Sequence, residues 1–126
     1  MRFGFLMVTT MLLVQGCNPA TNDITADTTT IDVEDNQFVP KQDTVTAGSG
    51  LTATVTFVWE NGNVNQHNVT WDMVPGGGTL PASPNLTSGA TYDATLGVGT
   101  YTYHCSFHLS SDGMAGTIVV LPPSGM

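Results

Sequence analysis

Basic side chains are almost missing from this chain of 126 residues. It has only Arg2 and Lys41 against ten Asp and Glu, a formal charge of −8. That shortage excludes a nucleic-acid partner, because phosphate binding needs a basic face. Cysteine is nearly as scarce, with Cys17 near the N-terminus and Cys105 far from it. A disulfide framework is therefore not available, and Cys105 stands without a partner in its own domain. No apolar run is long enough to span a bilayer. The best candidate, residues 3–14, falls short of the ~20 residues that a spanning helix needs. Helical periodicity and internal repeats are absent as well. What remains is rich in Gly, Thr and Val, a composition that suits strands and turns. The length is that of one domain, large enough to bury a core without disulfides.

Residues 1–16 read as an export signal. Arg2 is a minimal positive region, and residues 3–14 have the length of an apolar signal core. Val14-Gln15-Gly16-Cys17 then looks like a bacterial lipobox, with Cys17 the expected lipidated first residue of the mature protein. The alternative is an ordinary signal peptide cleaved nearby, with Cys17 incidental. Lipidation would place the protein on a membrane surface without a spanning helix. Cleavage would also remove Arg2 and leave Lys41 alone against the ten acids. The rest of residues 17–28, rich in Thr, Asn and Asp, reads as a flexible tether. The folded domain is expected over residues 29–122, with 123–126 as a tail.

Within that domain, apolar and polar residues alternate at the period of half-buried strands. Strands are expected at residues 29–33, 37–39, 44–46, 52–59, 66–71, 90–96, 99–105 and 117–121. The clearest is 52–59, where Ala53, Val55, Phe57 and Trp59 form the heavier face. Gly-rich and Pro-rich stretches at 47–50, 61–63, 75–84 and 97–99 supply turns and loops. Short strands at this spacing predict an all-β antiparallel β-sandwich of seven or eight strands.

The chemistry concentrates in residues 101–114. Two residues separate Cys105 from His108, and five separate His108 from Met114. Thiolate and thioether donors favour copper, and imidazole suits it too. A Cys, two His and a weak, distant Met make up a blue-copper site. His67 is the obvious fourth donor. A buried inert thiol is the plainer reading of Cys105. Two enzymatic readings also exist: a Cys105–His108 nucleophile pair, and a zinc hydrolase using two His and one Cys. No protease-like signature surrounds Cys105, and a thioether is a poor zinc ligand. His104 alternates with Cys105, so on a strand it points away from the site.

With these residues in view, the chain resembles the cupredoxins, in particular small plastocyanin-like domains. The resemblance rests on His67-Asn68, on Tyr103-His104-Cys105-Ser106-Phe107-His108, and on the Gly113-Met114-Ala115-Gly116 run into the final strand. Phe38-Val39-Pro40 and Phe57-Val58-Trp59-Glu60-Asn61 look like earlier strands of the family. In all it covers about residues 29–121. The stretch between His108 and Met114 is longer than is usual there. The resemblance implies a Greek-key sandwich holding one type 1 copper through His67, Cys105, His108 and Met114. It implies that Asn68 ties the two ligand loops together and that His108 is the electron port. It also implies a non-enzymatic, monomeric carrier of single electrons in the periplasm or at the cell surface. Its partners would be redox proteins such as a cytochrome or a terminal oxidase or reductase. Copper delivery or storage on the same ligands is the alternative function.

Overall fold

The computed structural model describes residues 24–108 and 113–125. The expected export signal, Cys17 and the tether up to residue 23 lie outside the described residues, as do residues 109–112.

Eight strands follow one another: β1 (Thr28–Val33), β2 (Phe38–Val39), β3 (Gln42–Thr46), β4 (Thr52–Trp59), β5 (Thr70–Met73), β6 (Thr91–Gly97), β7 (Gly99–His104) and β8 (Ala115–Leu121). A single 3₁₀ turn, Pro75–Gly77, is the only helical piece among the described residues. The strands form two four-stranded sheets, ordered β2-β1-β4-β6 and β3-β8-β7-β5. The expected sandwich is there, and within it the sheets are mixed. β1 runs parallel to β4, with Ile31 opposite Phe57. β3 runs parallel to β8, with Val45 opposite Val120. The remaining strand pairs are antiparallel.

Alternation along each strand decides what is buried. Ala53, Val55, Phe57 and Trp59 of β4 face inward, as expected, beside Ile31 and Val33 of β1. The other sheet contributes Val45, Tyr101, Tyr103, Ile118 and Val120. Full burial of one such large side chain stabilises by about 1.5–3 kcal/mol. Phe38, Phe57 and Tyr103 meet edge to face at the centre, with ring centroids 4.8 to 6.2 Å apart.

One predicted strand is placed differently. Regular pairing of the 66–71 segment begins only at Thr70 and runs on to Met73. His67 makes an isolated bridge to Leu86 instead. The cause is the long loop before β6, which folds back over His67 to Val69. Ser83 N–H donates to the Val69 carbonyl at 2.9 Å, and its hydroxyl accepts from Val69 N–H at 2.8 Å. The loop takes the backbone groups that a neighbouring strand would otherwise take.

Candidate metal centre

Cys105 follows the last residue of β7, where the chain leaves the sheet. Tyr101, Tyr103 and Cys105 are all buried, because residues two apart on a strand share a face. Cys105 N–H donates to the Met114 carbonyl at 3.0 Å, one step beyond the last paired residues of β7 and β8. The chain then turns, with His108 N–H donating to the Cys105 carbonyl at 3.2 Å. That turn brings Nδ1 of His108 to 3.6 Å from the Cys105 sulfur.

His67 arrives from the other side of the site. Two backbone bonds with Leu86, of 3.0 and 2.9 Å, hold its segment in place. Its Nδ1 lies 3.7 Å from the same sulfur. The two imidazoles are 4.7 Å apart between centroids, tilted by 42°. One donor atom from each of His67, Cys105 and His108 lies within 4.8 Å of the other two. Cys105 and His67 are fully buried, and His108 is partly exposed. Met114 is buried as well, carried to this end of the sandwich by its backbone bond to Cys105.

Asn68 joins the two loops. Its Oδ1 accepts from Ser106 N–H at 2.9 Å, and its amide donates to Ser106 Oγ at 2.8 Å and to Asn85 Oδ1 at 3.1 Å. Bonds of this kind orient the side chains that touch a metal. His104, as expected, faces away: its Nδ1 meets the carboxylate of Asp72 at 2.7 Å on the outer side of the sheet.

Burial pushes the pKa of His67 down, aided by the nearby His108 and opposed by Asp35. A neutral imidazole is the form that binds metal. The Asp35 pKa is lowered too, chiefly by Asn65 N–H, with Val64 N–H and His67 adding to it. Nothing in the sequence marks Asp35 for this place. It sits in the polar turn Glu34-Asp35-Asn36-Gln37, 32 residues before His67, and only the fold brings the two together. Ser106 was equally inconspicuous, although its position beside Cys105 was a usable signal.

The chemistry of these donors fits a type 1 copper. A cysteine sulfur and two imidazoles converge at a largely buried site, with a buried thioether next in chain to β8. Over residues 4–120 the chain matches the family described as Cupredoxin-like domain. It belongs to the cupredoxins.

A plastocyanin from Prochlorothrix hollandica is 40% identical to this cupredoxin over 88 residues, which are 66% of this chain and 62% of that one. The chain thus spans somewhat less than two thirds of that relative's length. Among solved structures, reduced auracyanin from Roseiflexus castenholzii superposes with a TM-score of 0.55 at 25% identity, covering 75% of this chain and 97% of that one. A Cu-containing nitrite reductase from Thermus scotoductus SA-01 superposes with a TM-score of 0.60 at 28% identity. That match covers 75% of this chain and only 22% of the reductase, so it concerns one domain of a larger protein.

Proposed function

We propose that this cupredoxin carries single electrons between redox proteins of the cell envelope, on one type 1 copper held by His67, Cys105, His108 and Met114. The observation that carries the reading is the convergence of Nδ1 of both histidines on the Cys105 sulfur, at 3.7 and 3.6 Å. Copper, when bound, supplies the reversible one-electron Cu(II)/Cu(I) couple. The chain's own part is to keep the donors in place and dry. Burial disfavours the charged form of His67 and shields Cys105 from water. The Asn68 bonds fix the two loops to each other, so the donors need move little between oxidation states. Met114, buried at the same end, would supply a weak fourth donor.

His108 is the port. It is the one partly exposed residue of the converging set, and Phe107 beside it is 48% exposed and offers an apolar docking face. The 40% identity to a plastocyanin supports a carrier and not an enzyme. His104 takes no part in the converging set, since it meets Asp72 on the outer face of the sheet.

Partners of the proposed carrier are basic redox proteins such as a cytochrome, or a terminal oxidase or reductase. The excess of acids over Lys41 favours a basic partner at long range. Electron exchange with a positively charged cytochrome, followed by stopped flow at rising salt, tests this. The second-order rate should fall several-fold as ionic strength climbs to ~0.15 M, where the screening length is ~8 Å. Copper-loaded protein that neither exchanges electrons nor gives a reversible voltammetric wave would point to copper delivery or storage.

The mature protein is proposed to be exported and anchored in a membrane through lipidated Cys17, on the strength of Val14-Gln15-Gly16-Cys17. Cys17→Ala should move it from the membrane to the soluble fraction or block its processing. Unchanged fractionation of that variant, with a mature N-terminus elsewhere, would remove the anchor from the account.

A further inference from the structure

Asp35 lies on the far side of His67 from the sulfur and accepts three hydrogen bonds from one short stretch of chain. Its Oδ1 takes Val64 N–H at 3.0 Å, Asn65 N–H at 3.1 Å and the His67 ring at Nε2 at 3.2 Å. Its Oδ2 shares Val64 N–H at 3.2 Å. The same stretch is bound to the end of β1, because the Val33 carbonyl accepts from the Asn63 amide at 2.6 Å and from Glu60 N–H at 3.1 Å. The carboxylate thus sits in a laced turn and does not swing freely at the surface.

The geometry constrains the imidazole. Backbone N–H bonds favour the ionised form of a carboxylate, which can only accept. The bond at Nε2 is therefore an N–H donated by His67. A neutral imidazole with its proton on Nε2 has a bare lone pair on Nδ1, the nitrogen that faces the Cys105 sulfur. Tautomer, ring orientation and local charge are thus set by one side chain from a different turn. No other Asp or Glu touches His67 among the described residues.

We infer that Asp35 is a positioning residue of the metal centre, which presents Nδ1 of His67 to copper and biases the bound metal toward Cu(II). The bias has two sources of one sign. A hydrogen bond to a carboxylate makes the imidazole a stronger donor. A negative charge beside the site stabilises the state with the larger positive charge. The proton stays on Nε2 in both oxidation states, so one electron moves and no proton is exchanged. Because the Asp35 side chain is 35% exposed, solvent screens part of the charge. The inference rests on the copper reading above, but half of its test does not use copper.

Two measurements decide it. Nitrogen chemical shifts of the wild-type apo protein should show His67 protonated at Nε2 only, with that N–H slow to exchange. A proton on Nδ1, or Nε2–H exchanging as fast as an exposed ring, would overturn the inference whatever the metal does. In the copper-loaded protein, Asp35→Asn keeps an acceptor oxygen and loses the charge. Its reduction equilibrium should shift about tenfold toward Cu(I), a rise of about 59 mV for a one-electron couple. The visible thiolate band should stay, because all four proposed ligands remain. A shift under threefold, or one toward Cu(II), would contradict the role given to Asp35. Failure of the wild type to bind copper would sink the functional reading instead and leave the tautomer result standing.

Discussion

At the scale of single residues, the site divides into what spacing reveals and what only folding reveals. Cys105 and His108 were legible because a strand end followed by a turn returns the chain after three residues, and the His108-to-Cys105 backbone bond is that turn. His67 was legible from the donor count, with three histidines in the chain and one facing outward. Asp35 was not, since a carboxylate in a polar turn carries no mark of its distant partner. Met114 lies between these cases. Its burial and its backbone bond to Cys105 are clear, while its role as a weak donor is part of the proposed function. Met114→Leu should keep copper and colour, because the three strong donors are untouched. Loss of a donor that stabilises Cu(II) should raise the reduction potential, by about 59 mV if the equilibrium shifts tenfold. An unchanged potential would make Met114 a packing residue.

At the scale of elements, β7 and β8 do most to place the centre, since one ends just before Cys105 and the other begins just after Met114. Their register sets Tyr103 opposite Gly116. The Tyr103 ring lies over that glycine so closely that an added Cβ would stand 2.4 Å from the ring. A glycine under an aromatic ring on the next strand pins the register. The buried Tyr103 hydroxyl finds no hydrogen-bond partner among the described residues, and its pKa is raised, chiefly by burial. Gly116→Ala should therefore push the ring out of place and destabilise the fold by about 1–3 kcal/mol. The loss should show as a lower denaturation midpoint with an unchanged slope. A neutral result would mean that the ring can shift without cost. Alternation in the sequence told which face of each strand is buried but not which strand is its neighbour, nor in which direction it runs. That is why the parallel pairs β1–β4 and β3–β8 were not foreseen. The folding of residues 83–86 over His67 was likewise invisible, since a Pro-rich loop gives no period to read.

At the scale of the whole molecule, the converging donors lie at one end of a sandwich of two sheets. The sheets bury the aromatic centre, and at that end of the sandwich Cys105 and His67 are buried while His108 is partly exposed. The all-β class was readable from composition, strand spacing and the lack of helical period. Charge was readable as well, since ten acids against two bases is a property of the sequence and not of its folding. What ties these features together is one claim: that Cys105, with His67 and His108, binds copper through its thiolate. The most direct measurement is the visible spectrum of the protein on adding one equivalent of Cu(II), for wild type and Cys105→Ser. The account predicts an intense thiolate-to-Cu(II) band in the wild type and none in the variant. A colourless wild type, or a Cys105→Ser protein that keeps the band, would contradict it.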